Sequence, residues 1–195
     1  MSRLGPSAIV RIVLIYSMSV SVDGFIADRD GGFGWTGPSD ELFQHQLEQV
    51  AALGAYLLGR RLYETMRVWD TEPALRATES GAEFAEIWSA LPKIVFSRTL
   101  TAVEGNARLA TAPLAEEAAA AAATRGQVVS IGGATLAAEA IRLDLVDELR
   151  MVRDPVLVGG GTPYFPAVDR VLPLELLEAR TFGSGAVYER YRRIR

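Results

Sequence analysis

Cysteine is absent from this 195-residue chain, which removes disulfides, a thiolate nucleophile and any cysteine-based metal site. Histidine occurs once, at His45, so a histidine-rich metal centre and a Ser-His-Asp triad both lack their parts, and His45 reads as a half-exposed helix residue. No metal is expected. Lysine also occurs once, at Lys93, and the rest of the basic side is arginine. The formal net charge of -4 argues against general nucleic-acid binding, while clustered arginines stay available for a local phosphate. No apolar run is long enough to span a bilayer. Residues 9–22 are interrupted by Arg11 and lead into Asp23-Gly24 rather than a small-residue cleavage site, so they read as the buried first strand of a cytoplasmic protein.

What is present describes one ordinary globular domain, with 49% hydrophobic and 23% charged residues. After a loose leader at 1–8, residues 9–20 form an apolar β-rich run of the kind buried on both faces of a sheet. Residues 23–38 make a long glycine-rich loop with Phe25, Ile26, Phe33 and Trp35 as apolar anchors, more like a ligand wall than a linker. Ser39 or Asp40 starts a helix running to about Leu53, and 55–58 is a short strand entering Gly59-Arg60-Arg61. A polar loop at 69–80, a helix at 81–91, a strand at 93–96 ending at Ser97-Arg98, a short strand at 106–111 and an alanine-rich helix at 114–124 follow. The stretch 127–141 breaks at Gly132-Gly133 and reads as strand, tight turn, helix. Strands at 145–152 and a closing antiparallel hairpin, 171–182 with 186–193, complete the chain.

Alternating strands and helices predict an α/β sheet, mostly parallel, with an antiparallel C-terminal hairpin. Ligands of such sheets bind outside the carboxyl ends of the strands. Three of those ends carry Gly59-Arg60-Arg61, Ser97-Arg98 and Gly132-Gly133. The paired glycines let backbone approach a ligand, and the helix start behind them offers unpaired N–H groups to an anion, although a plain strand-to-helix turn needs the same geometry. Arginine at a helix start opposes the dipole and suits an anionic partner, the alternative being a solvated pair. No carboxylate stands where an NAD ribose would be held, which favours NADP, and no Gly-x-Gly-x-x-Gly follows the first strand, which disfavours an ordinary Rossmann dehydrogenase.

Seven segments in order, Ser21-Val-Asp23-Gly24-Phe-Ile-Ala, Trp35, Leu58-Gly59-Arg60-Arg61-Leu-Tyr63-Glu64, Val95-Phe-Ser97-Arg98-Thr99, Ile131-Gly132-Gly133-Ala134-Thr135-Leu136, Leu145-Val-Asp147-Glu148-Leu and Pro155-Val-Leu-Val-Gly159-Gly-Gly, resemble the dihydrofolate reductase-like family over roughly residues 9–193. Within it they are most similar to the C-terminal reductase domain of the bifunctional riboflavin-biosynthesis deaminase-reductase. The resemblance implies a three-layer NADPH-binding fold in which Ile131 leads into Gly132, Gly133 and the helix through Ala134, Thr135 and Leu136 that holds the pyrophosphate. Gly59 with Arg60, Arg61, Ser97 and Arg98 would surround the 2′-phosphate, and Ser19 and Ile26 would line the nicotinamide. It also implies a cis peptide between the paired glycines and a homodimer.

Trp35-Thr-Gly-Pro38-Ser-Asp40 resembles the segment before the active-site helix of dihydrofolate reductase, which makes Asp40 a candidate catalytic acid; a helix cap is the alternative. Asp23 is open between a catalytic and a turn role. Where riboflavin reductases carry a glutamate before the glycine pair, this chain has Ile131, and no zinc deaminase domain is expected. The expectation is therefore a single-domain, metal-free NADPH reductase acting on a C=N or C=O of a small heterocycle or sugar-imine, with dihydrofolate reduction or an NADPH-binding module of little turnover as alternatives.

Overall fold

The computed structural model describes residues 13–125 and 128–195; the leader, residues 9–12 of the expected first strand and Gln127 lie outside them. In chain order the strands are β1 (Val13–Ser21), β2 (Phe25–Ala27), β3 (Ala55–Gly59), β4 (Lys93–Phe96), β5 (Ala107–Leu109), β6 (Val128–Gly132), β7 (Glu148–Asp154), β8 (Thr162–Pro163), β9 (Leu174–Thr181) and β10 (Val187–Arg193). The helices are α1 (Asp40–Ala51), α2 (Arg60–Met66), α3 (Val68–Thr71), α4 (Glu79–Ala90), α5 (Leu114–Arg125) and α6 (Ala134–Arg142). Among the described residues, eight strands form one sheet in the order β5-β4-β3-β6-β1-β7-β10-β9. The first six run parallel, and β10 and β9 add the antiparallel hairpin. This is the mostly parallel sheet with an antiparallel C-terminal hairpin that the alternation of elements predicted, in the three-layer dihydrofolate reductase-like arrangement that the resemblance implied.

Side chains alternate across each strand, so every strand of the centre feeds two cores. On one face Tyr16, Leu57, Ile131 and Met151 meet the alanines of α5 and α6, whose small size lets both helices lie close to the sheet. On the other, Leu58 and Val95 meet Leu47 of α1, Tyr63 of α2, and Phe84 and Trp88 of α4. A third cluster joins Leu42 of α1 to Val152, Phe182, Ala186 and Tyr188. Helix α1 thus ties the hairpin to the sheet centre. Its start is fixed by Ser39, whose Oγ accepts the Leu42 N–H at 3.4 Å, with Asp40 and Glu41 favourably placed in the first turn.

Four local expectations are corrected. Residues 69–80 are largely helical, as α3 and a 3-10 turn at Pro73–Arg76, because Trp69 stacks on Phe43 and packs at a tilt on Phe84, at ring distances of 5.9 and 4.4 Å. The glycine-rich loop contains β2, which pairs antiparallel with β8 in a separate two-stranded ribbon. The strand expected at 145–152 begins at Glu148 and continues to Asp154, since Asp147 turns back to accept the Leu14 N–H at 3.0 Å. His45 is buried under α1 against Phe182 and Tyr188, and burial lowers its pKa. No helix among the described residues is long and apolar enough to cross a membrane.

Candidate active site

The parallel order β4-β3-β6-β1-β7 sets five carboxyl ends side by side along one edge. Register places Gly59 opposite Phe96, and Leu58 opposite Gly132, so the segments 59–61, 97–98 and 132–136 come from three neighbouring strands. A Cβ on Gly133 would lie 3.8 Å from the backbone of Gly59, which shows how closely the two strand-to-helix turns approach. Gly133 reverses the chain with φ +92°, and among the described residues no peptide is cis; the expected cis bond is replaced by this left-handed glycine. Gly132 is needed for a different reason. A side chain there would meet Leu62 Cδ2 at 2.3 Å and the Tyr56 hydroxyl at 3.0 Å.

Gly133 caps α6 without any side-chain bond, so the first N–H groups, at Ala134, Thr135 and Leu136, have no partner within the helix. Thr135 is exposed and Ala134 half-buried at that end, whereas the side chains of Ile131 and Leu136 point into the core with Tyr16 and Leu57. The two arginines after β3 diverge. Arg60 pairs with Glu64 on the helix surface at 3.0 Å, while Arg61 reaches a groove of about 670 Å³ lined also by Asp28, Arg29, Asp30, Gly31, Gly161 and Thr162, so two carboxylates share it with two guanidinium groups. Arg29 is pinned there by a 2.7 Å bond to the Gly159 carbonyl. Ser97 spends its Oγ on the N–H groups of Thr99 and Leu100, at 3.1 and 2.9 Å, and Arg98 beside it is exposed. Ser19 and Ile26 are half-buried, on β1 and β2.

The acidic groups of this edge differ sharply. Asp23 takes the N–H groups of Val158 and Gly159 at 3.2 and 2.8 Å; with the Ser21 hydroxyl these bonds hold its carboxyl below the usual range. That geometry clamps the loop after β1 to the loop after β7, and it suits positioning better than proton donation. Asp40 is exposed at the first position of α1, and Glu41 beside it is paired with Arg180 at 2.9 Å. A carboxyl that the sequence did not single out, Asp154, ends β7 at 5% exposure with Oδ2 unpartnered, and burial pushes its pKa up to about 6. An aspartate before a proline gives no sign of this burial.

The RibD C-terminal domain family model matches residues 13–188. The uncharacterized protein YyaP of Bacillus subtilis (strain 168) is 29% identical over 177 residues, 89% of this chain and 91% of that protein. Two solved structures share the fold. One is the diaminohydroxyphosphoribosylaminopyrimidine deaminase/5-amino-6-(5-phosphoribosylamino)uracil reductase of Thermotoga maritima, with TM-score 0.64 and 19% identity over 94% of this chain and 57% of that one. The other is dihydrofolate reductase from Enterococcus faecalis complexed with NADP(H), with TM-score 0.58 and 18% identity over 94% of this chain and 97% of that one.

Proposed function

The chain belongs to the RibD C-terminal domain family, and from that premise we propose that it is an NADPH-dependent reductase of a small heterocycle, imine or carbonyl compound. The observation that carries the reading is the adjacency of the uncapped α6 start, the Gly133 turn and the Arg61 groove on neighbouring strand ends. Those features fit a dinucleotide: N–H groups at a helix start suit a pyrophosphate, and guanidinium groups suit an additional phosphate. The bound dinucleotide would supply hydride. Residues 132–136 would hold its pyrophosphate and Arg61 a further phosphate, with Arg60 and Arg98 able to swing in from the surface. Ser19 and Ile26 would present backbone and apolar surface to the ring, and the Asp23 clamp would keep the two loops closed around it.

Ile131 supports a substrate other than the riboflavin pyrimidine, because an apolar side chain packed wholly into the core cannot replace a substrate-binding glutamate. The same reading includes a homodimer, supported by Leu174 and Leu176, exposed on edge strand β9. Light scattering then gives twice the 21.1 kDa chain mass. Fluorescence titration tests the cofactor: NADPH binds much more tightly than NADH, and Arg61→Ala narrows the gap. Equal affinities in the unaltered protein remove the proposal. A screen of NADPH oxidation against dihydrofolate, 5-amino-6-(5-phosphoribosylamino)uracil and simple ketones then identifies the substrate class.

A further inference from the structure

We propose that Asp154 is the acid that delivers a proton to the substrate as it is reduced, an inference that rests on the reductase reading above. Its place in the sheet is the first ground. Register pairs Ser19 with Val152 and Ser21 with Asp154, so Asp154 faces the same side of the sheet as Ser19, one strand across and two residues further on. With strands about 4.8 Å apart and a rise of about 3.3 Å per residue, the two Cα atoms lie about 8 Å apart, within the span of a ring resting beside Ser19. That side of the sheet is the one covered by the first turns of α1, through Leu42 on Val152.

The second ground is the unfilled valence. Asp154 is 5% exposed, and its Oδ2 is buried without a hydrogen-bond partner next to the apolar cluster of Leu42, Val152, Phe182 and Ala186. A buried carboxyl kept for structure is normally bonded, and an orphaned one is destabilising unless something else makes use of it. Trp35, in the turn that leads into α1, likewise has a buried Nε1 with no partner. Two buried polar atoms left open, one in the turn before α1 and one on the strand that Leu42 of α1 covers, suit the polar edge of a heterocycle.

Of the other titratable groups on the surrounding elements, two are held by hydrogen bonds or an ion pair, Asp40 is exposed, and His45 and Tyr188 are buried in the same cluster with Nε2 and the hydroxyl likewise unpartnered. Asp23 is held by loop N–H groups, Glu41 pairs with Arg180, and Asp40, the first residue of α1, is exposed to solvent rather than buried against the sheet. Burial keeps His45 neutral, and it raises the pKa of the Tyr188 hydroxyl. Burial alone raises Asp154 to about 6, so about a tenth of the carboxyl is protonated at pH 7 and it can reload a proton between turnovers.

In the proposed reaction a C=N or C=O carbon of the substrate would accept the hydride that a bound reduced nicotinamide dinucleotide would supply. The π pair moves to the nitrogen or oxygen, which takes the Asp154 proton as that O–H bond breaks. The substrate gains two electrons and the dinucleotide loses them. Water then reprotonates the carboxylate.

The test is carboxyl carbon-13 NMR of the aspartate-labelled protein beside an NADPH fluorescence titration. One resonance, missing in Asp154→Asn, titrates near pH 6 and moves when NADPH saturates the protein. On whichever compound of the NADPH-oxidation screen is reduced, dihydrofolate, 5-amino-6-(5-phosphoribosylamino)uracil or a simple ketone, Asp154→Asn lowers kcat by ~100-fold or more with NADPH affinity unchanged, the usual weight of general acid catalysis. A midpoint in the ordinary aspartate range, a resonance indifferent to bound NADPH, or a full kcat in the variant each overturns the role of Asp154. Failure to bind NADPH at all overturns the reductase reading itself.

Discussion

Glu117, in the first turn of α5, is 3% exposed and accepts four bonds, two from Arg108 and one each from the N–H groups of Thr111 and Ala112. The Arg108 bond leads in holding its carboxyl down to about 2 from an ordinary 4.5. A depressed carboxylate stabilises the fold above the unfolded value and loses that stabilisation as pH falls from about 4.5 toward 2. The Arg108 side chain is 50% exposed and screened by water, so the net effect is about 1–2 kcal/mol rather than the full shift. Glu117→Gln should weaken urea resistance by that amount at pH 7 and leave it unchanged near pH 2. Asp154 has the opposite sign. Raised from 3.8 to about 6, it keeps its proton in the folded state after the unfolded chain has lost it. Stability from this group is full below about 3.8 and falls as pH rises to about 6, a loss of about 3 kcal/mol at most. Asp154→Asn should therefore be more stable than the unaltered protein at pH 8 and equal to it at pH 3. Equal urea midpoints at both pH values would show that Asp154 ionises in the folded protein as freely as in the unfolded chain.

The ribbon of β2 and β8 shows what an element can owe to one glycine. Gly161 has φ +135°, and a Cβ there would fall 2.1 Å from the Ala27 carbonyl oxygen and 2.5 Å from the Asp28 carbonyl carbon. Both contacts are to backbone, so no rotamer relieves them. Gly161→Ala should separate the two loops and speed amide exchange over residues 25–31 and 159–164, while the eight-stranded sheet keeps its protection; uniform protection in the variant would disprove this role. The ribbon was not legible in the sequence. Phe25 and Pro163 lie far apart in the chain, and their pairing depends on Gly161 and on the Asp23 clamp, neither of which leaves a periodic signal. Helix α3 was hidden in the same way, because aromatic packing of Trp69 overrode a polar local sequence. By contrast, the strand-to-helix turns at Gly59 and Gly132-Gly133 were readable, since an apolar β-branched run stopping at glycine has few other outcomes. Asp23 drew attention beside a glycine turn, and Asp40 because Trp35-Thr-Gly-Pro38-Ser-Asp40 resembles the segment before the active-site helix of dihydrofolate reductase. Asp154 did not, because three other elements decide its burial.

At the scale of the whole molecule, one edge of a single sheet gathers loops and helix starts drawn from residues 19 to 162, tied to one another by the Asp23 clamp, the Arg29–Gly159 bond and the β2–β8 ribbon. A ligand lying there bonds several of them at once and none in the unfolded chain, so binding must raise the unfolding free energy. NADPH at 100 times its Kd would add about 2.7 kcal/mol. For a domain of this length each kcal/mol moves Tm by about 2–4 °C, which predicts a rise of roughly 5–10 °C. NADH at the same concentration, if bound about a hundredfold more weakly, would add only about 0.4 kcal/mol and move Tm by about 1 °C. Differential scanning fluorimetry with both dinucleotides separates the cases. Arg61→Ala should reduce the NADPH shift toward the NADH value, because a guanidinium reaching into the groove is the feature that would distinguish the extra phosphate. Equal shifts for the two dinucleotides would mean that the groove takes the shared pyrophosphate alone. No shift with either would mean that these strand ends, although adjacent, do not act as one site.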